Sequence, residues 1–216
     1  MMKLFKLEQS VEGPIIGDFP QVQEKWPWLT DRWGENSYTM TPLKGRIEFD
    51  IVFPYFELAK RAKLTDWVSA VNVDRNYLMV STRLLALLKG FVLDEYQYFP
   101  VPVHTPNKIV DYHLIYFPWP RQDDFINWEK STFRRITKSG ENILLQFENA
   151  KARNLAKDAH EIQIEKIIIN TNKITMDVFR FRSFHLGFYV SERLKNAMES
   201  AGMTGIVYEI PEWLPK

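Results

Sequence analysis

Apolar and polar residues alternate over short stretches along most of the chain, which predicts many β-strands. Alternation, or a short apolar run bounded by turn residues, predicts strands at 2–8, 46–53, 112–117, 143–147, 162–169, 178–181, 188–191 and 206–210. Segment 64–68 favours a strand, and 96–103 is typical of an extended segment whose two prolines predict an edge position. The remaining stretches predict loop or short strand (13–42), a short helix (55–62), and a helical turn or loop (149–157).

Two further segments show the three- and four-residue apolar spacing of an amphipathic helix, and each follows a serine. The first begins after Ser81 and ends near Gly90, and the second begins after Ser191 and ends at Gly202. A serine side chain at this position accepts a hydrogen bond from the first helical N–H groups, and glycine suits the turn that ends a helix. We therefore interpret both serines as helix caps rather than nucleophiles.

The two capped helices belong to an internal repeat. Residues 79–88 align with 189–198 at an offset of 110, with identical Val, Ser, Arg and Leu, and both units then pass through a glycine into an extended segment. Chance similarity between two short helices is the alternative. A strand–helix unit of this kind cannot bury its apolar face alone and must pack on a sheet. The prediction is one domain, 1–216, of α+β class: mostly antiparallel sheet, a few packed helices and two similar lobes, 1–105 and 106–216.

Composition narrows the classes of function. The absence of cysteine excludes disulfides, thiol nucleophiles and thiolate metal sites. The 28 basic and 27 acidic residues are spread along the chain, which disfavours binding to nucleic acid or to an anionic membrane. The N-terminus shows no secretory signal and the apolar runs are too short to cross a bilayer, so we expect a cytoplasmic protein.

A search for catalytic and ligand-binding motifs yields no catalytic residue, no cofactor site and no metal site. The four histidines lack the local spacing of a metal pair, and no nucleophile elbow or phosphate-binding glycine loop is present. His113 lies within an apolar strand and is interpreted as a structural residue. Asp123 and Asp124, with Glu129 nearby, form the best carboxylate cluster, which we interpret as a solvated acidic loop rather than a cation site.

Exposed aromatic side chains beside prolines are candidate protein contacts, because tryptophan and arginine are enriched at interface hot spots. Two groups qualify, 26–28 with Trp33 and Trp119 with Trp128, although a loop tryptophan also serves as a lid over the core. We select the loop from 118 to 128, which lies between predicted extended elements. Its candidate protein-binding residues are Trp119, Arg121, Asp123, Asp124 and Trp128.

Several segments together resemble a known bacterial family. The run 188–205 is similar to the family's closing signature, and its other elements are similar to 80–81 with the following helix, 98–101, 111–116, 125–131 and 179–181. The chain thus resembles, over about residues 64–216, immunity protein family 11 of polymorphic toxin systems, first described as domain of unknown function 1629. One departure is Asn127, which stands where an aspartate is frequent in the family.

The resemblance implies a protein that neutralises a cognate toxin by direct binding, without catalysis of its own. Affinity of this kind can come from shape and buried aromatic area. Two other hypotheses remain open: an enzyme, hydrolase-like, with dispersed histidines and carboxylates, and a structural or regulatory subunit of an assembly. A deep polar pocket would favour the enzyme, and a broad aromatic patch would favour binding.

Overall fold

The computed structural model describes residues 3–26, 32–40, 45–70, 76–118, 124–137, 140–159, 161–181 and 187–210. The described strands are β1 (Leu4–Gln9), β2 (Val22–Lys25), β3 (Tyr55–Leu58), β4 (Tyr77–Ser81), β5 (Gln97–His104), β6 (Ile109–Tyr116), β7 (Thr132–Ile136), β8 (Asn142–Leu145), β9 (Ile162–Lys166), β10 (Val178–Phe179), β11 (Phe188–Ser191) and β12 (Ile206–Glu209). The described α-helices are α1 (Gly13–Ile16), α2 (Thr82–Leu88), α3 (Ala150–Ala159) and α4 (Glu192–Ser200).

The strands form three sheets. The four-stranded sheet has the order β10-β11-β1-β12, the five-stranded sheet β2-β3-β5-β6-β4, and the three-stranded sheet β8-β7-β9. All described pairings between these strands are antiparallel except that of β3 with β5. The predicted α+β class with mostly antiparallel sheet is therefore confirmed.

Both predicted helix caps are confirmed. The Ser81 hydroxyl oxygen accepts a hydrogen bond from the Leu84 N–H at 3.1 Å, and the Ser191 oxygen accepts one from the Leu194 N–H at 3.1 Å. Each serine ends a buried strand and begins a helix, so each unit consists of a strand, a capped helix and a second strand. The local sequence alone supplies this element because the cap and the apolar spacing act within one turn of helix.

The two units are equivalent in the sheets as well. In one, β6 lies between β4 and β5, and in the other, β1 lies between β11 and β12. Tyr98 of β5 is the cross-strand partner of Ile115 in β6, and Tyr208 of β12 is the cross-strand partner of Leu7 in β1. The two tyrosines therefore occupy the same position in the two units. The two units do not coincide with the predicted lobes 1–105 and 106–216. Strand β6 pairs with the strands of the first unit, and the N-terminal strand β1 pairs with those of the second.

One core cluster holds the two units together. It contains equivalent residues from both, with the apolar faces of α2 and α4 meeting side chains from the two larger sheets. Its buried members include Leu84, Leu88, Leu194 and Met198 from the helices, and Val80 and Val190 from the preceding strands. A second cluster covers the other face of the five-stranded sheet, and a third joins the four-stranded sheet to the three-stranded sheet.

Three sequence predictions in the first third of the chain are wrong. Segment 64–68, whose pattern favours a strand, forms only a single bridge between Trp67 and Val80. Segment 46–53 forms no strand apart from a single bridge between Val52 and Ser37. The Gln97 side chain instead satisfies the Ile47 backbone, accepting from its N–H at 2.7 Å and donating to its carbonyl at 3.1 Å. Segment 55–62, predicted as a helix, begins with strand β3, because β2 and β5 supply backbone partners on its two sides.

The position of β5 differs from the edge position predicted from its prolines. It lies between β6 and β3 in the sheet order. Pairing with β3 involves only Val103 and His104, however, so it starts after Pro100 and Pro102. Proline has no backbone N–H group to donate. Because the described pairing with β3 begins only at Val103, no hydrogen bond from either proline to β3 is needed.

None of the described helices combines the length and apolar composition that a membrane-crossing helix needs.

Candidate functional site

Asp66 lies at the centre of a polar cluster that contains a serine, an arginine and a threonine, residue types that also occur in catalytic sites. Its carboxylate accepts hydrogen bonds from the Ser81 hydroxyl at 2.7 Å and from Arg83 Nε and Nη2 at 3.1 and 2.7 Å. Thr204 adds its backbone N–H at 2.9 Å and its hydroxyl at 3.1 Å. The aspartate is buried, while the arginine remains more than half exposed.

The same cluster occurs a second time around Asp177. Its carboxylate accepts hydrogen bonds from the Ser191 hydroxyl at 2.6 Å, from Arg193 through two nitrogens, and from the Val92 N–H at 3.0 Å. Val92 lies two residues after the glycine that follows α2, and Thr204 lies two residues after the glycine that follows α4, so the two residues are equivalent but belong to different units. Each aspartate therefore binds the serine and arginine of its own unit and the backbone that leaves the helix of the other unit.

These contacts assign both clusters a structural role. The Ser81 hydroxyl donates to Asp66 and accepts from a helical N–H, so both its proton and its lone pair are engaged, and no described histidine bonds it. Burial by itself raises the pKa of Asp66, but hydrogen bonds from Arg83, Ser81 and Thr204 outweigh it and lower the pKa to about 2. Asp66 is therefore an ionised acceptor at neutral pH, not an acid or a base.

The lowered pKa predicts a specific acid sensitivity. A carboxylate whose folded pKa lies below its unfolded value of 3.8 contributes stability above pH 4 and loses it as the pH falls toward 2. The shift corresponds to about 2 kcal/mol, since the partner arginine is partly screened by water. The pKa of Asp177 is lowered in the same direction, where the Arg193 and Ser191 hydrogen bonds outweigh burial.

We expect the Asp66→Asn variant to show a flatter dependence of the free energy of unfolding on pH between 4 and 2 than the wild-type chain. Urea denaturation at several pH values measures this slope. Asp124→Asn, at an exposed site without such donors among the described residues, is the matched control and should retain the wild-type slope. Equal slopes for wild type and Asp66→Asn would contradict the assignment.

The loop selected from the sequence is described only in part. Trp119, Arg121 and Asp123 lie outside the described residues, so the carboxylate cluster proposed for Asp123, Asp124 and Glu129 is not described as a whole. Asp124 is exposed, and its backbone carbonyl accepts a hydrogen bond from Lys173 at 3.2 Å. Trp128 is half-buried and stacks on Phe133 with ring centroids 6.0 Å apart, which matches the alternative of a lid over the core.

Arg180 anchors the start of this loop, a role that the sequence did not reveal. Its buried guanidinium donates to the backbone carbonyls of Phe117 at 2.7 Å and Pro118 at 3.0 Å, and to the Asn76 side chain at 2.7 Å. The segment that leaves β6 is therefore fixed at Pro118 by a charged donor from the other unit. The signal available in the sequence was the arginine between two phenylalanines in 179–181.

Within the described residues, nothing resembles a metal centre. No group of three metal-ligating side chains converges among them. A cavity of about 10 Å³ lies in the core between the two units, lined by apolar side chains that include Leu7, Leu78, Val80 and Met198. Its size is about that of one water molecule and its lining offers no polar group, so it could not bind a substrate.

One face of the five-stranded sheet carries accessible aromatic and apolar side chains. Cross-strand partners share a face, and the register places nine side chains of β3, β5 and β6 together on the face opposite the second core cluster. Among the described elements, helix α2 covers the part of this face that lies on β4 and the adjoining part of β6. We call the uncovered part the outer strip; it consists of Tyr55, Glu57, Tyr98, Pro100, Pro102, His104, Ile109, Asp111 and His113.

Aromatic and imidazole rings dominate the outer strip. Tyr55 packs on His104 with ring centroids 5.0 Å apart, and Tyr98 meets His113 edge-on at 6.0 Å. Both tyrosines are about two-fifths exposed, and Ile109 is 60% exposed. Rigid rings and prolines lose little conformational entropy when a partner covers them, so the strip is suited to protein contact.

His113 is held in this strip in its neutral form. Burial lowers its pKa, the nearby Lys89 ammonium lowers it further, and Asp111 opposes them. Its Nδ1 atom is fully enclosed and has no hydrogen-bond partner among the described residues. A neutral imidazole beside an aromatic ring fits the structural role predicted for His113 and adds no charge to the strip.

The chain matches no protein-family model and no curated protein. The resemblance to immunity protein family 11 therefore stays a prediction.

Proposed function

We propose that this protein is an immunity-type protein that binds and neutralises a cognate bacterial toxin by direct contact, without chemistry of its own. The proposal joins the resemblance over residues 64–216 to one structural observation, the outer strip. Its exposed tyrosines and prolines and its half-buried imidazoles form a surface with no lysine or arginine and two carboxylates, a composition suited to the inner part of a protein–protein interface. The proposed action is to cover the working surface of the toxin.

Two observations support binding over hydrolysis. The serine–aspartate–arginine clusters are duplicated and engaged in holding the two units together, which leaves them no free reactive group. The outer strip, by contrast, presents two tyrosines that are each about two-fifths exposed. Affinity from buried aromatic area requires only such a surface.

Removal of both tyrosines should test the strip directly. We expect Tyr55→Ala and Tyr98→Ala each to weaken toxin binding by about 2 kcal/mol, or roughly 30-fold in Kd, because each removes a rigid, partly exposed aromatic anchor. Purified chain and an inactivated form of the toxin encoded by the neighbouring gene would be titrated calorimetrically. Co-expression with the active toxin should protect cells for the wild-type chain and fail for the double variant.

The matched control is Leu155→Ala on α3, which removes an apolar side chain that is 64% exposed but lies outside the strip. It should bind and protect like the wild type. An Asp124→Arg variant tests the loop predicted from the sequence in the same assay. Failure of the wild-type chain both to protect cells and to form a complex would reject the proposed function, and normal binding by the double tyrosine variant would reject the strip.

A further inference from the structure

The charges around the outer strip bear on what kind of toxin surface it can cover. The strip contains two carboxylates, Glu57 and Asp111, and Lys25 pairs with Glu57 at 3.3 Å. At its borders lie Lys89 and Lys108, which form no ion pair among the described residues. The nine residues of the strip thus carry two carboxylates and no lysine or arginine, and the three lysines around them, Lys25, Lys89 and Lys108, bring the sum for the strip and its border to +1.

Lys89 shows how the positive charge is held. Its ammonium group lies 4.1 Å from the centroid of the Tyr98 ring, so it is placed by a cation–π contact rather than by a carboxylate. Lys108 is exposed in the turn between β5 and β6, where its backbone bonds Thr105. Both cations can therefore meet a partner without first breaking an ion pair.

A toxin that acts on nucleic acid has a working surface lined with lysine and arginine, because it must neutralise phosphates. A protein that covers such a surface must supply carboxylates, since like charges brought together across an interface cost several kcal/mol. The outer strip has no acidic cluster, and the whole chain carries a net charge of +1. Its charge is therefore complementary to a different class of surface.

We propose that the toxin surface bound by the outer strip is apolar at its centre and neutral to weakly acidic at its rim, so that the neutralised toxin does not bind nucleic acid at that surface. This inference rests on the proposed function. It predicts that the complex assembles mainly by burying apolar surface, and that electrostatic attraction contributes little to the rate of association.

Salt dependence is the direct test. For the wild-type chain and the inactivated neighbouring toxin, we expect an association rate constant of about 10⁵–10⁶ M⁻¹s⁻¹ that changes less than about threefold between 0.05 and 0.5 M NaCl. The combined Lys89→Glu and Lys108→Glu variant should bind more weakly, by about three- to tenfold, through loss of attraction to the rim. Lys151→Glu, at an exposed position on α3, is the control and should leave binding unchanged.

The outcomes separate this inference from the proposed function. A stable complex whose association slows more than tenfold with salt, or which the Lys89/Lys108 double variant tightens, would show a basic toxin surface and overturn the inference while leaving the immunity function intact. A complex that forms at no ionic strength would overturn the proposed function, and the inference with it. Protection of cells against a toxin that degrades nucleic acid, lost on Tyr98→Ala, would also overturn the inference.

Discussion

Replacement of Asp66 by alanine is expected to lower the free energy of unfolding by about 3 kcal/mol. The substitution removes a buried carboxylate that accepts from Ser81, Arg83 and Thr204, and hydrogen bonds to a charged group contribute about 1.5–3 kcal/mol. Breaking a fully buried ion pair costs about 3–5 kcal/mol, and the lower end applies here because Arg83 is more than half exposed. Urea denaturation at pH 7 measures the loss.

The internal repeat provides a second, equivalent residue on which to test this prediction. Asp177→Ala should cost a similar amount, because Asp177 has the same kinds of donors in the opposite arrangement. The control is Asp18→Ala, whose carboxylate pairs with Arg61 at 3.2 Å on an exposed surface and should change stability by less than about 1 kcal/mol. A loss for Asp66→Ala no larger than that of the control would show that the aspartate does not join the units.

Replacement of Gly205 by alanine is expected to cost about 3 kcal/mol or more. Gly205 has a φ of +80°, a conformation that costs L-residues about 1–2 kcal/mol. An added Cβ atom would also lie 2.3 Å from the Trp67 carbonyl oxygen and 2.4 Å from the Thr65 hydroxyl oxygen. Because the first of these contacts is with backbone, the two chain segments must move apart where the units meet.

The matched control for this prediction is Gly140→Ala. Gly140 has a φ of +85°, but no atom of the described residues beyond its chain neighbours lies within 4 Å of its added Cβ, so only the conformational cost of about 1–2 kcal/mol remains. Denaturation midpoints of the two variants, measured side by side, isolate the effect of close packing. Equal losses would indicate that the contact between Gly205 and 65–67 relaxes without cost.

These variants also bear on the proposed function. Asp66, Asp177 and Gly205 lie at the junction of the two units, whereas the tyrosines of the outer strip lie on the surface and are about two-fifths exposed. Junction variants should therefore lower stability while the folded fraction still binds toxin, and strip variants should lose binding while stability stays near the wild-type value. Comparing both sets separates loss of fold from loss of contact surface.

Local sequence predicted the elements whose cause is local. The capping serines, the apolar spacing of the two helices and the glycines that follow them act within a few residues, and the structure confirms them. The repeat found at 79–88 and 189–198 corresponds to two units with the same strand neighbours. The aspartates were missed because Asp66 precedes its serine by 15 residues and Asp177 precedes its serine by 14, which breaks the constant offset.

The secondary-structure predictions that were wrong also depend on contacts between segments distant in sequence. Alternation at 46–53 correctly marked Ile47 as a buried position, but its backbone found a glutamine side chain instead of a strand. Segment 55–58 became a strand because β2 and β5 offer it backbone partners, which a local pattern cannot show. Pairing between distant segments decides such cases, since a backbone N–H group must be satisfied wherever a partner lies.

By itself, the sequence determined the α+β class, the repeated strand and capped helix, and the absence of thiol chemistry. Tertiary structure decided that each aspartate reaches the opposite unit, that Arg180 holds the chain at Pro118, and that part of one face of the five-stranded sheet is left uncovered by the described elements. Alternation along a strand shows that its two faces differ. Only the packing of the other elements determines which face is buried and which remains free to bind a partner.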